Sequence, residues 1–84
     1  MNNYYFTYGS WEGYPFDGGW TRVVASDQLQ ALAIFRAVHP DTPNGNFCCA
    51  FHYDEKEFAR TGMAETGNRG NFEHECIELK ITRK

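Results

Sequence analysis

Long apolar runs are missing from this sequence of 84 residues. A helix that spans a membrane needs about 20 consecutive apolar residues, and no stretch of the chain approaches that length. Residues 1–5 also lack the basic and apolar regions of a secretory signal peptide. We therefore expect a cytoplasmic protein that has no membrane partner.

An excess of positive charge is also missing. Eight Lys and Arg residues stand against eleven Asp and Glu residues, which gives a formal net charge of −3. A protein that binds the phosphate backbone of a nucleic acid normally carries a basic excess. Direct nucleic-acid binding is therefore disfavoured, and the acidic side chains of the second half form either a solvated face or a contact for a basic partner.

Cysteine is scarce, with three residues in the chain, two of them adjacent at Cys48 and Cys49. An odd number with an adjacent pair does not form a disulfide framework, so we expect reduced thiols. Aromatic residues, in contrast, make up 17% of the sequence, and they help a chain this short to bury enough apolar surface for folding. The length predicts one domain over residues 1–84, which a homo-oligomer would further stabilise.

The first half of the chain carries two strand patterns and a helix pattern. Aromatic and β-branched residues predict strands over residues 4–8 and 21–25. Ser26 is a favoured helix N-cap, and the absence of Gly and Pro up to His39 predicts a helix that Pro40 ends. The apolar stripe that should face a sheet consists of Ala31, Ile34, Phe35 and Val38.

In the second half, residues 47–53 are predicted to form a third strand. Its alternation assigns Phe47, Cys49, Phe51 and Tyr53 to one face and Cys48, Ala50 and His52 to the other. Asp54 followed by Glu57 resembles a capping box, which predicts a short helix over residues 55–60 with Phe58 as its apolar anchor.

Residues 72–82 are predicted to form the last strand. Its alternation assigns Ile77, Leu79 and Ile81 to one face and His74, Cys76, Glu78 and Lys80 to the other. The order β-β-α-β-(short α)-β predicts a small α+β domain with an antiparallel or mixed sheet of about four strands. One main helix should pack on one face of that sheet.

Residues 10–20 place four large aromatic side chains in a Gly- and Pro-rich segment between the first two strands. Gly and Pro at this density predict an irregular hairpin loop or a wide bend. Large rigid rings in such a setting either cover the hydrophobic core or form a binding surface. As a binding surface, the segment would contribute Trp11, Tyr14, Phe16 and Trp20.

Cysteine and histidine residues raise the question of metal or thiol chemistry. Cys48, Cys49, His52, His74 and Cys76 are potential zinc ligands, and four of them would share a sheet face if the third and last strands were neighbours. Metal ligands in the middle of a strand are unusual, however. No cysteine is flanked by glycines in the sharp turn that presents a catalytic nucleophile. We therefore predict core or surface packing for these residues, no metal, no cofactor and no catalytic group.

A second Gly-rich segment, residues 67–71, contains Arg69 among turn-forming residues. Consecutive turn amides beside a guanidinium can form an anion-binding nest. The alternative is a solvated turn without function. Arg69 is therefore a candidate binding residue.

Four segments, when read together, resemble small accessory proteins carried by phages and prophages of gut bacteria. They are residues 4–9, 33–40, 49–51 and 53–58. The resemblance extends over most of the chain. Because that group includes anti-CRISPR and other anti-defence inhibitors, the resemblance implies a protein of the bacterial host cytoplasm that blocks a defence protein such as a nuclease. It implies no catalytic residue.

Two functions are therefore expected from the sequence. The first is a non-enzymatic binding protein that inhibits a defence protein through its aromatic segment. The alternative is an oligomeric protein that sequesters a nucleotide signal, in which aromatic rings stack on the base and Arg22 or Arg69 binds phosphate.

Overall fold

The computed structural model describes residues 1–9, 12–43, 45, 47–63 and 73–78. The elements follow the order strand β1 (Asn2–Thr7), strand β2 (Trp20–Ala25), helix α1 (Gln28–Val38), strand β3 (Phe51–Asp54), helix α2 (Glu55–Thr61) and strand β4 (Glu73–Glu78). The four strands form one mixed sheet in the order β3-β1-β2-β4. The prediction of a small α+β fold with a four-stranded sheet is confirmed.

The sheet is built around the β1–β2 hairpin. β1 pairs antiparallel with β2 and with β3, whereas β4 runs parallel to β2. The hairpin connection is closed by two backbone bonds, from Tyr8 N to the Gly19 carbonyl at 3.0 Å and from Gly18 N to the Gly9 carbonyl at 3.1 Å. Gly18 and Gly19 have φ angles of 69° and 67°, a left-handed conformation that favours glycine.

The two faces of the sheet carry different helices. On the inner face, α1 packs with Phe35 stacked on Phe6 at a centroid distance of 4.4 Å, and both rings are fully buried. Ala31 and Ile34 of the predicted stripe are also buried, but Val38 is exposed. On the outer face, α2 lies against β1 and β3. The main helix therefore packs on one face as predicted, and the short helix packs on the other.

Both helices begin at an aspartate. Asp54 and Glu57 form the predicted capping box, and Gly62 ends α2 in the left-handed conformation. For α1, the side chain of Asp27 accepts the capping bond from Gln30 N, so the N-cap lies one residue after the predicted Ser26. Ser26 donates instead to the Gln30 side chain.

The third strand is shorter than its sequence pattern suggested. Residues 47–50 bend over the end of β1, where Ala50 N donates to the Thr7 carbonyl at 2.8 Å, and regular pairing begins only at Phe51. The predicted alternation is therefore wrong over residues 47–50, whereas from Phe51 to Tyr53 it holds, with His52 near Phe6 on the inner face and Tyr53 near Phe58 on the outer face. Cys48 and Cys49 are both buried in the core, whereas Phe51 is 63% exposed.

The last strand contains an irregularity next to Trp20. Trp20 pairs with Glu73 but Thr21 pairs with Glu75, so His74 is an extra residue on β4. The predicted common face for His74 and Cys76 is therefore wrong. Ile77 packs against the core as expected. Leu79 and the rest of the predicted strand lie outside the described residues, as do Trp11 and Arg69.

In the part of the chain that the structure describes, no helix has the length and apolar character needed to cross a membrane.

Candidate functional site

A cleft opens on the outer face of the sheet beside α2, which packs mainly on β1 and β3. We call it the α2 cleft. Its volume is about 430 Å³, at the lower end of the range for small-molecule sites. Its lining residues come from three strands, from α2 and from the residue that ends α2: Tyr5, Trp20, Arg22, Glu55, Phe58, Ala59, Gly62 and Glu73.

Three aromatic rings form the apolar part of the α2 cleft. Tyr5 and Phe58 are stacked, with centroids 4.0 Å apart and planes 5° from parallel. Trp20 meets Phe58 edge-on at 4.9 Å. Phe58, predicted as the anchor of the short helix, is thus the contact that holds α2 on the sheet. Burial raises the pKa of Tyr5 above its ordinary value of 10.0.

The polar part of the cleft belongs to a continuous hydrogen-bonded chain of four side chains. Arg22 Nε donates to Glu73 Oε1 at 2.8 Å, and Arg22 Nη1 donates to Asn3 Oδ1 at 3.2 Å. Asn3 Nδ2 in turn donates to Glu55 Oε2 at 2.9 Å. The bond from Glu73 raises the pKa of Arg22 above its ordinary value, which already keeps the guanidinium charged. We call these four residues the polar chain.

Trp20 is the most constrained member of the site. The residue is 7% exposed, and its Nε1 atom is buried without a hydrogen-bond partner among the residues that the structure describes. A buried N–H group that finds no acceptor costs about 1 to 3 kcal/mol. Because the Nε1 atom is itself buried, this cost is carried by the folded protein, and the indole N–H is not open to a ligand in the cleft.

The aromatic residues predicted as one binding surface lie on different faces. Trp20 is on the outer face in the α2 cleft, whereas Tyr14 and Phe16 are half-buried against the core on the α1 side. Phe16 stacks on His74 at 4.4 Å and lies 5.5 Å from Tyr8. The structure therefore brings Tyr14 and Phe16 together and separates both from Trp20.

The candidate zinc ligands are not brought together. His52 is on β3 and Cys76 is on β4, which are opposite edges of the sheet. His74 donates through Nε2 to the Gly18 carbonyl at 2.8 Å, and Cys48 Sγ donates to the Pro40 carbonyl at 3.0 Å. Among the described residues, no group of three potential ligands is close enough to hold a metal ion.

The two adjacent thiols are buried rather than activated. Burial raises the pKa of Cys49 to about 12 and also raises the pKa of Cys48. Because the thiolate is the nucleophile, both are weakly reactive at neutral pH. Cys76 is exposed.

A polar network that the sequence did not reveal crosses the inner face. Thr21 Oγ1 donates to Glu75 Oε2 at 2.8 Å, so Tyr8 must donate its hydroxyl proton to Thr21 at 2.5 Å. His39 Nε2 donates to the same Glu75 oxygen. Burial raises the pKa of Tyr8 well above its usual range. The network joins the end of α1 to β2 and β4. In the sequence, only the position of His39 at the predicted end of the helix, before Pro40, pointed to one of its members.

Sequence reasoning also missed much of the α2 cleft. Tyr5 and Glu55 carry no local pattern that separates them from ordinary strand and helix-start residues. Only Trp20 was proposed as a contact, and Arg22 as an alternative one. The signal that could have found the site is the spacing of Tyr5 and Trp20 on strands that a hairpin joins.

Comparison of the chain with protein-family models, with curated proteins and with solved structures found no match.

Proposed function

We propose that this protein is a non-enzymatic binding protein that sequesters a small ligand in the α2 cleft. The observation that carries the proposal is a cleft of about 430 Å³ whose lining combines aromatic rings with the Arg22–Glu73 ion pair. Binding sites of this kind combine mostly apolar walls with a few fixed polar groups. The α2 cleft has both.

Arg22 and Tyr5 of the cleft are suited to fixed hydrogen bonds. Arg22 and Glu73 are paired at 2.8 Å, and the charged state of Arg22 is reinforced by that pair. Burial raises the pKa of Tyr5 further above its ordinary value of 10.0, at which a tyrosine is already protonated at neutral pH. Groups held in one protonation state are suited to fixed hydrogen bonds, whereas a general acid or base needs a pKa near the working pH.

Native mass spectrometry tests the proposal directly. The protein is incubated with a small-molecule extract of a bacterial host and measured before and after denaturation. We expect a mass increment that denaturation releases. Because Ala59 is an exposed position of α2 that lines the cleft, Ala59→Phe should fill the cleft and abolish the increment.

Ala33→Phe is the matched control, since Ala33 is an exposed position of α1 on the opposite face of the sheet. It should retain the increment. An increment of equal size in both variants would place the ligand elsewhere, and the absence of any increment in the unaltered protein would overturn the sequestering function.

A second candidate function is inhibition of a bacterial defence protein, as in the phage anti-defence proteins that the sequence resembles. It is supported by the partial exposure of Tyr14 and Phe16 in the hairpin connection, which leaves part of each ring available to a partner. Pull-down from a host lysate tests it. Partner capture that is lost in a folded Trp11→Ala, Phe16→Ala double variant supports this function, and unchanged capture removes these rings from the interface.

A further inference from the structure

A second cleft opens beside α1 on the inner face of the sheet, and we call it the α1 cleft. Its volume is about 360 Å³. Its walls come from the middle of α1 and from the chain that bends into β3: Leu32, Arg36, Phe47, Cys49, Ala50 and His52. Because it lies on the opposite face from the α2 cleft, what it binds does not depend on the proposed sequestering function.

The apolar walls of the α1 cleft are open to a ligand. Leu32, Phe47 and Ala50 are each partly exposed, whereas the neighbouring core ring of Phe6 is fully buried. An apolar group that covers these three side chains removes apolar surface from water. The cleft can therefore hold a small apolar body.

The Arg36 guanidinium is held at the α1 cleft with one edge unused. Its Cζ atom lies 4.8 Å from the centroid of the Phe47 ring, and its Nε donates to Asp41 Oδ1 at 3.1 Å. Nη1 and Nη2 have no hydrogen-bond partner among the described residues. Two parallel N–H groups of a guanidinium match the two oxygens of a carboxylate. The side chain is 56% exposed, so an anion from solvent can reach this edge.

His52 places another donor at the same cleft. The side-chain amide of Gln28 donates to His52 Nδ1 at 2.9 Å, so the neutral imidazole carries its proton on Nε2. In the part of the chain that the structure describes, this Nε2 atom has no acceptor. The imidazole also meets Phe47 edge-on at 6.1 Å, which places the donor beside an apolar wall.

The charge of the lining favours a monoanion. Arg36 is the charged residue of the described lining, beside the titratable His52, and the lining contains no carboxylate. Asp41 lies outside the lining and occupies only the Nε edge of Arg36. Its negative charge repels a phosphate dianion more strongly than a monoanion, and inorganic phosphate would leave the apolar walls uncovered.

We propose that the α1 cleft binds a small monocarboxylate that has an apolar body, such as an aromatic or short aliphatic acid. The carboxylate accepts from Nη1 and Nη2 of Arg36, and His52 Nε2 supplies a further donor. The apolar body packs against Leu32 and Ala50. Charge fixes the orientation of the ligand, and the apolar contact adds to its affinity.

Titration with benzoate, followed through the NMR shifts of the Leu32 and Ala50 backbone amides, measures this binding. We expect saturable shifts at both positions. Acetate lacks the apolar body and benzamide lacks the charge, so each should bind at least about fivefold more weakly than benzoate. Inorganic phosphate should bind no more tightly than acetate.

Charge variants identify the recognising group. Arg36→Gln keeps a long polar side chain but removes its charge, and it should weaken benzoate binding about fivefold, a loss moderated by solvent screening. Arg60→Gln is the matched control, because Arg60 is exposed on α2 and does not line the α1 cleft. Asp41→Asn removes the neighbouring negative charge and should strengthen benzoate binding about twofold.

Each outcome decides the proposal. Benzamide binding as tightly as benzoate, or an unchanged benzoate affinity in a folded Arg36→Gln variant, would overturn recognition of a carboxylate by Arg36. Phosphate binding more tightly than benzoate would show that charge alone is recognised. If neither benzoate nor hexanoate shifts the Leu32 and Ala50 amides, the site does not exist. Ala59→Phe, which fills the α2 cleft, should leave benzoate binding unchanged, so this proposal and the sequestering function fail separately.

Discussion

Phe58 of α2 lies flat on Tyr5 of β1, with their ring centroids 4.0 Å apart and their planes 5° from parallel. This stack is the main apolar contact between the short helix and the sheet. Because α2 has seven residues, it is too short to be stable alone, and its helical state depends on this packing. The stack therefore holds one wall of the α2 cleft in place.

Truncation of Phe58 should therefore destabilise the fold. We expect Phe58→Ala to lower the free energy of unfolding by about 3 to 5 kcal/mol, the usual cost of removing a buried phenyl ring. Phe51→Ala is the control, since that ring is 63% exposed, and its cost should stay within about 0.5 kcal/mol. Urea unfolding followed by circular dichroism measures both, and equal costs would show that Phe58 does not anchor α2.

The inner-face network predicts a coupling between Tyr8 and Thr21. Thr21→Val removes the hydroxyl that links Tyr8 to Glu75 and leaves both without that partner, so we expect a loss of about 1 to 3 kcal/mol. Adding Tyr8→Phe should cost less in the Thr21→Val background than in the unaltered protein. A double-mutant cycle measures this coupling, and additive losses would contradict a shared network.

Alkaline pH should destabilise the protein in a way that depends on Tyr8. Burial raises the pKa of Tyr8 above its ordinary value of 10.0, so the folded chain retains a proton that the unfolded chain releases. Its contribution to stability is therefore complete below about pH 10 and is lost as pH rises above that value. Denaturant unfolding measured from about pH 8 to about pH 11 brackets that value. Over this range the free energy of unfolding should fall more steeply for the unaltered chain than for Tyr8→Phe.

The thiols should react with iodoacetamide at different rates. Cys76 is exposed, whereas Cys48 and Cys49 are buried and have raised pKa values. We expect one alkylation in the native protein on the time scale on which all three thiols react in denaturant. Mass spectrometry of digested protein gives the order of reaction. Rapid labelling of Cys49 in the folded state would contradict its burial in the core.

Elements defined by local signals were predicted well from the sequence. Each such element depends on residues that are close together in the sequence. Examples are the aromatic run of β1, the apolar stripe of α1 and the Asp54–Glu57 capping box. The shift of the α1 cap from Ser26 to Asp27 is a competition between two good capping residues, which no local rule decides.

Features set by partner strands were not predicted. The bend over residues 47–50 exists because the chain must cross the end of β1 before it can pair, and the extra residue at His74 exists because β4 must match β2. The α2 cleft depends on the strand order, which places Trp20 and Glu73 side by side. Local patterns carry no information on which strands become neighbours.

The polar chain joins side chains that are far apart in the sequence. Asn3 and Glu55 are 52 positions apart, and Arg22 and Glu73 are 51 positions apart. No fragment of the sequence can therefore assemble the site, and a ligand that binds there must bind to the whole native chain and not to the unfolded one. Occupancy then raises global stability by mass action, by about 2.7 kcal/mol at a ligand concentration of 100 times Kd. In a chain of this length that corresponds to a rise in Tm of roughly 10 °C or more, so thermal shift can screen for the ligand without any knowledge of its chemistry.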